Sequence, residues 1–359
     1  MSPQHFRRAL FVRLDRIGDL VLTLPTDESA NIDRVDWWIP RGLSFVTEHA
    51  QPQRQSHEFS TTLTFLQLLS LVRCVRRNHY DIAVVFHAPW WVGFALWAAR
   101  VPIRIGVFSQ WHSFLFFNRG VRQKRSRAEH SELEYNFRLL EEGLDVAQAS
   151  LPRRQLKLGA KSGRPESLTS RLSTSDVGEY FVVHPGMGGS ALNWPTNLYT
   201  ALIQELALKH AVVVTGTASD EAFLAPIREQ LRSESAGAKA NAGETADGAN
   251  SRIIWLDGKL SGTELIAVLQ NARAVIAPST GVLHLAASTG VATLGLFSRI
   301  RVQRAVRWGP QGARTATLEP PVECPGQSAC EGTTCARGNC MNLISVESVL
   351  VKLRELEAL

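Results

Sequence analysis

The sequence predicts an α/β protein built as two domains, each a parallel sheet with helices on both faces. Apolar runs of strand length alternate with helix-length amphipathic stretches, the alternation lapses and restarts halfway along the chain, and 359 residues at 45% hydrophobic content can bury two cores. Ala9–Leu14 reads as the first strand, and Leu20, Val21, Leu22 and Leu24 as the helix after Gly18. Next come the strand Val35–Ile39, a helix near Leu63–Arg77, the strand Asp81–Phe86, a helix near Trp91–Arg100 and the strand Arg104–Val107. Leu133, Phe137 and Leu140 mark one face of a helix over His130–Gly143.

Between Gly159 and Gly178 the periodicity gives way to Ser, Gly and Thr, the composition of a linker. The second series then runs strand Phe181–His184, helix Pro195–Lys209, strand Ala211–Thr215, helix Ser219–Leu231 and strand Ile253–Leu256. It continues with helix Thr263–Asn271, strand Ala274–Ala277, helix Gly281–Ser288 and strand Ala292–Phe297. Ser233–Asn250, dominated by Ala, Gly, Ser and charged residues, reads as a mobile surface insert. The expected domains are therefore 1–165 and 178–342, followed by a helical tail, 343–359, that has the option of packing back on the N-terminal domain.

Composition narrows the setting. No apolar run approaches the ~20 residues that span a bilayer, and the N-terminus lacks the apolar core of a signal peptide, so a cytoplasmic protein is expected. Residues 1–160 carry 21 Lys and Arg against 15 Asp and Glu, while 161–359 carry 18 of each, so the whole surplus of +6 lies in the first half. That half is expected to meet something anionic: a phosphorylated lipid head group, a membrane surface or a nucleic acid. Trp90, Trp91, Phe94, Trp97, Trp111, Phe114, Phe116 and Phe117 precede Arg119, Arg122, Lys124, Arg125 and Arg127. This is either core beside a solvated loop or an amphipathic shoulder for the membrane interface, with Arg122, Lys124 and Arg125 gripping acidic phosphates. Four cysteines, Cys324, Cys330, Cys335 and Cys340, lack the Cys-x-x-Cys pairing of common zinc modules, leaving a structural metal or free thiols as the alternatives.

Three turns carry chemistry. Asp19 follows Gly18 at the first strand-to-helix junction, where the positive end of the helix favours a carboxylate. His184-Pro-Gly-Met-Gly-Gly-Ser190 and Pro278-Ser-Thr-Gly-Val-Leu-His284 each follow a strand and open toward a helix. Gly186, Gly188 and Gly189 let backbone approach an anion. Ser190, Ser279 and Thr280 add hydroxyls, Gly281 opens a helix N-terminus, and His284 lies in its first turn. A diphosphate is the natural guest. Neither turn is Gly-x-Gly-x-x-Gly or a P-loop, which argues against a dehydrogenase or an NTPase.

With Arg13-Leu-Asp-Arg-Ile-Gly-Asp-Leu-Val-Leu-Thr-Leu-Pro25, His184-Pro-Gly186, Asn193-Trp-Pro195, the Gly216 turn and Pro278-Ser-Thr-Gly-Val-Leu-His-Leu-Ala286, the chain resembles glycosyltransferase family 9, the bacterial heptosyltransferases. The resemblance runs from Leu10 to about Pro310. It implies the GT-B arrangement: two Rossmann-like domains facing across a cleft, an N-terminal acceptor domain and a C-terminal domain for a nucleotide-sugar donor, typically ADP-heptose. It also implies that Asp19 is the catalytic base of an inverting transfer, that Leu260 touches the nucleobase, and that Glu221, ahead of Asp220, binds ribose. The acceptor would be a lipid-linked saccharide such as lipopolysaccharide inner core, met on the cytoplasmic face of the inner membrane. No cofactor, metal ion or nucleic acid partner is expected, and no Asp-x-Asp motif is present. The chain departs from the pattern at two positions. Leu192 stands where members commonly carry a donor-neutralising lysine, leaving Arg16, Arg299 and Arg301 as possible substitutes, and Ser279 stands where some members have Asp. A transferase of another sugar in surface polysaccharide synthesis, or a nucleotide-sugar binder with little turnover, are the alternative readings.

Overall fold

The computed structural model describes residues 5–60, 62–172, 180–189, 191–241, 251–326 and 328–359. The chain divides into one unit of residues 1–125 and 129–157 and a second of residues 126–128 and 158–359. Each holds a six-stranded, all-parallel sheet.

In the first unit the strands are β1 (Phe6–Arg13), β2 (Ile32–Pro40), β3 (Gln55–Phe59), β4 (Ile82–His87), β5 (Ile103–Val107) and β6 (Arg119–Val121). Their spatial order is β3-β2-β1-β4-β5-β6. The chain therefore reverses its direction of winding between β1 and β4, which makes the crevice beyond the carboxyl ends of those two strands the place where such a sheet binds ligands. Both faces of the sheet are packed. Leu10 and Val12 of β1 join Trp38, Val85 and Val92 in one core, while Phe11 meets Trp37 edge-on at 5.2 Å on the other face. The helices are α1 (Ile17–Val21), α2 (Ser44–His49), α3 (Phe65–Asn78), α4 (Trp90–Ala98), α5 (Trp111–Phe116) and α6 (Glu132–Leu144). Thr64 and Ser131 cap α3 and α6 by accepting from Gln67 N and Glu134 N.

The second unit repeats the winding with β7 (Phe181–Val183), β8 (Val212–Val214), β9 (Ile253–Trp255), β10 (Ala274–Pro278), β11 (Ala292–Leu296) and β12 (Thr315–Leu318). Their order is β12-β11-β10-β7-β8-β9, so its reversal falls between β7 and β10. The helices here are α7 (Glu166–Thr169), α8 (Thr196–Ala207), α9 (Glu221–Asn241), α10 (Gly262–Gln270), α11 (Gly281–Thr289), α12 (Ala305–Trp308) and α13 (Val346–Glu355).

Several elements differ from the sequence expectation. The short α7 interrupts the expected linker, and residues 173–179 lie outside the described residues. α9 continues to Asn241, because the Ala-rich stretch after Leu231 has high helix propensity; the rest of the expected insert, 242–250, lies outside the described residues. The tail packs within the second unit. Val349, Leu350 and Leu353 of α13 enter the core of the second unit with Trp194 and Leu202, and Trp194 Nε1 donates to Ile344 O at 2.9 Å. Burying this apolar stripe beside α8 gives the helix its place.

The aromatic run divides between the two readings. Trp91 and Phe117 are buried, whereas Trp90, Trp97 and Trp111 are half or more exposed. α4 packs against α3 and α5, and Phe65 and Leu66 of α3 add to the exposed apolar surface of this group. No helix among the described residues is long and apolar enough to cross a membrane.

Candidate active site

Asp19 is the third residue of α1, directly beyond the carboxyl end of β1. The helix starts at Ile17, so Gly18 lies inside it rather than in the preceding loop. Arg13, the last residue of β1, is almost wholly buried and turns its guanidinium onto this segment. Nε donates to Asp15 at 2.7 Å, Nη2 donates to Asp19, and both Nη atoms reach Glu132 Oε1 at 3.3 Å. Burial alone would lower the pKa of Arg13, but Asp15, Asp19 and Glu132 together hold it well above its ordinary value. The helix is only five residues long, and its end is fixed from outside: Asn136 Nδ2 donates to Leu22 O at 3.1 Å and to Thr23 Oγ1 at 3.0 Å, and Thr23 Oγ1 donates to Asp19 O at 2.7 Å. The carboxylate is thus held in a defined position with 13% of its side chain exposed, the condition a general base needs.

Sequence reading missed Arg13, Glu132 and Asn136 as partners of this site. It also placed Arg125 on the acceptor or membrane side with Arg122 and Lys124. In the structure Arg125 binds the buried Glu132 and lies over the Tyr135 ring, 5.7 Å from its centroid. Its charge is used inside the unit, while Arg122 and Lys124 are exposed.

In the second unit the expected donor residues converge on the carboxyl edge of one sheet. The His184 turn follows β7, the Ser279 turn follows the adjacent β10, Glu221 follows β8, and Leu260 follows β9. Gly188 and Gly189 adopt left-handed φ of +55° and +69°, which a side chain would resist. Gly186 is required for a different reason: a Cβ there would lie 2.2 Å from the Asp220 carboxyl carbon. Ser190 lies outside the described residues. Asn193 braces the turn, donating from Nδ2 to Pro185 O at 2.7 Å while its Oδ1 accepts from Trp194 N at 2.8 Å.

The two acids after β8 separate cleanly. Asp220 is buried and accepts from Thr217 N at 2.9 Å, Thr217 Oγ1 at 2.7 Å and Gly188 N at 3.4 Å. Burial would raise its pKa, but these bonds and the neighbouring His184 hold it below the carboxylate range. It is a brace for the glycine turn. Glu221 is 57% exposed and, among the described residues, paired only with Arg228 at 3.0 Å, a surface contact a ligand hydroxyl can displace at little cost. Arg228 also reaches Asp257 at 3.0 Å and stacks over Trp255 at 4.6 Å, beside a cavity of about 670 Å³ whose lining includes Arg232 and Lys259.

His284 is buried on α11, and its Nδ1 has no hydrogen-bond partner among the described residues. Such a nitrogen is costly unless something completes its bonding, and an oxygen of a ligand held at the Ser279–Gly281 turn is suited to that role. Burial pushes the pKa of His284 down to about 4, so the ring is neutral at physiological pH. His184, bonded through Nδ1 to Thr215 Oγ1 at 3.0 Å, is likewise pushed by burial to about 4. In unfolded chain both histidines protonate near pH 6.5, whereas in the folded unit they stay neutral until about pH 4. The unfolded state therefore binds more protons across this window, and stability falls as pH drops through it. A depression of this size is worth roughly 3 kcal/mol per group. Melting curves from pH 7 to 4.5 should show a steep fall in Tm that is shallower for His284→Gln; an unchanged slope would remove His284 from this role.

All four clustered cysteines are free thiols, and among the described residues no group of three or more His, Cys, Asp or Glu side chains is placed to hold a metal ion. The Cys340 thiol is pushed up by burial and by the other three sulfurs.

The model of glycosyltransferase family 9 (heptosyltransferase) matches residues 68–325. A Haemophilus influenzae protein that bears a provisional glycosyltransferase designation is 26% identical over 246 residues, 67% of this chain and 66% of that protein's length. A family 9 glycosyltransferase from Veillonella parvula superposes with a TM-score of 0.72 at 18% identity, covering 99% of this chain and 98% of the other. The E. coli ADP-heptose lipopolysaccharide heptosyltransferase II superposes with a TM-score of 0.73 at 16% identity, covering 97% and 98%. These likenesses agree with the two parallel sheets in showing the GT-B fold, and the chain belongs to glycosyltransferase family 9, the heptosyltransferase family.

Proposed function

We propose that this glycosyltransferase moves a heptose from ADP-heptose to a lipid-linked saccharide, such as lipopolysaccharide inner core, by a single inverting displacement. The observation that carries the reading is that one sheet presents a held carboxylate at its reversal point and the other presents two glycine-bearing turns at its own. Asp19 takes the proton of an acceptor hydroxyl, whose oxygen attacks the anomeric carbon. The bond from that carbon to the diphosphate oxygen breaks, and ADP leaves with the electron pair. Backbone N–H groups at Gly186, Gly189 and Gly281, with Ser190, Ser279, Thr280 and His284, receive the charge that develops on the diphosphate, while Gly188 lets the backbone approach it. Glu221 meets the ribose and Leu260 the adenine. No bridging metal ion or other cofactor is part of this proposal, so EDTA should leave turnover unchanged.

Incubation with ADP-heptose and a lipid-linked acceptor tests the reading. ADP release that requires acceptor supports it; donor binding without release identifies a nucleotide-sugar binder. Because Leu192 and Ser279 depart from the family pattern, GDP- and UDP-sugars belong in the same assay, and turnover with one of them would establish a transferase of another sugar.

The same reading places the protein at the cytoplasmic face of the inner membrane, with the exposed aromatic residues of α4 and α5 at the interface beside Arg122 and Lys124. Each cation near an anionic surface contributes about 1 kcal/mol. Reversing both charges should therefore weaken binding to phosphatidylglycerol vesicles by on the order of tenfold or more, most strongly at low salt. Salt-insensitive binding, unaltered in the variant, would dismiss the electrostatic part.

A further inference from the structure

The turns 184–194 and 278–285 contain no lysine or arginine, and both histidines nearby are neutral at physiological pH. A nucleoside diphosphate bound there would meet N–H and O–H donors but no full positive charge. At Leu192 the side chain packs against the core of the unit, so that position supplies none.

The segment after β11 lies against the Leu192 turn. Gln303 Oε1 accepts from Leu192 N at 3.0 Å and from Ser298 Oγ at 2.9 Å, tying the two together. Since β10 lies between β11 and β7, a segment that starts at the end of β11 and reaches the turn after β7 passes the end of β10, where Ser279 and Thr280 stand. This segment contains three arginines in different situations. Arg299 pairs with Glu319 at 3.0 Å and with Glu323, and Arg304 lies 3.7 Å from the same Glu319. Those two fasten the segment to the residues after β12. Arg301, two residues from Gln303 in the same 3-10 turn, has no carboxylate partner among the described residues; its Nε, like those of Arg299 and Arg304, is buried without a hydrogen-bond partner.

We propose that Arg301 supplies the positive charge for the donor diphosphate, in place of the lysine missing at Leu192. The inference rests on the donor site proposed above, and it makes Arg301 a binding residue for the leaving group. Its planar fork suits two phosphate oxygens at once.

The test is calorimetric titration of the full chain with ADP, adenosine and inorganic pyrophosphate, for wild type, Arg301→Ala, Arg301→Lys and Arg301→Ala combined with Leu192→Lys. Loss of one charge-assisted contact should weaken ADP and pyrophosphate by about 10–100-fold in Arg301→Ala, leave adenosine unchanged, and be partly restored by either lysine. Equal ADP and pyrophosphate affinity in wild type and Arg301→Ala, with both variants folded, would overturn the assignment. Wild type that binds pyrophosphate but not ADP would overturn the adenine-nucleotide reading while the Arg301 comparison proceeds on pyrophosphate. Wild type that binds neither would overturn both.

Discussion

Replacing Asp19 with Asn is expected to lower turnover by about 10²–10⁴-fold, the usual contribution of a general base, while leaving donor affinity within a factor of about two. The split follows from the position of the residue. Asp19 stands where the acceptor's proton would be taken, and the substitution leaves the turns after β7 and β10, proposed above to hold the nucleotide, unchanged. Asn is also close to isosteric, and Arg13 retains Asp15 and Glu132, so the fold should survive. Single-turnover ADP release alongside titration with ADP separates the two quantities. A variant within tenfold of wild-type turnover would remove Asp19 as the base.

Arg13→Met is expected to cost about 3–5 kcal/mol of stability, the penalty for leaving buried carboxylates without their cation. Glu132 is 1% exposed and keeps Arg125, but Asp19 and Asp15 lose a charged partner at the carboxyl end of β1. Arg13→Lys retains the charge without the fork that reaches three carboxylates, and should lie between wild type and Met. Chemical denaturation measures the stability. In the folded Lys variant, kcat should fall while donor affinity holds, because the group that aims Asp19 has changed. A Met variant within 1 kcal/mol of wild type would show that the network contributes little.

Much of this was legible in the sequence because it is local. The first strand-to-helix junction, the His184 turn and the Pro278–Leu285 turn each declare themselves within about ten residues by apolar runs broken at glycine; the structure places the two later turns after β7 and β10, and at the first junction it starts the helix at Ile17, ahead of Gly18. What escaped detection lacks local pattern. β3, Gln55–Phe59, is a polar edge strand, and β6, Arg119–Val121, is too short to show alternation. β12, Thr315–Leu318, is half-buried throughout and reads as neither core nor surface. Arg125 looked like one more cation in a basic run, because its partner is a carboxylate on a different element. Arg228 was invisible for the same reason, since Asp257 lies across the sheet edge from α9. Two acids side by side, Asp220 and Glu221, could be told apart only by three hydrogen bonds that close onto one of them.

The contacts that aim Asp19 join residues more than a hundred positions apart: Arg13 to Glu132 and Asn136, and Asn136 back to Leu22 and Thr23. During synthesis, residues 6–25 therefore leave the ribosome long before the helix that orients them exists. Until α6 has emerged and docked, β1 can pair with β2, but the carboxylate has no fixed direction. The site becomes competent late in the maturation of its unit, so a nascent or truncated chain ending before residue 132 carries the whole Phe11–Pro25 motif without the means to use it.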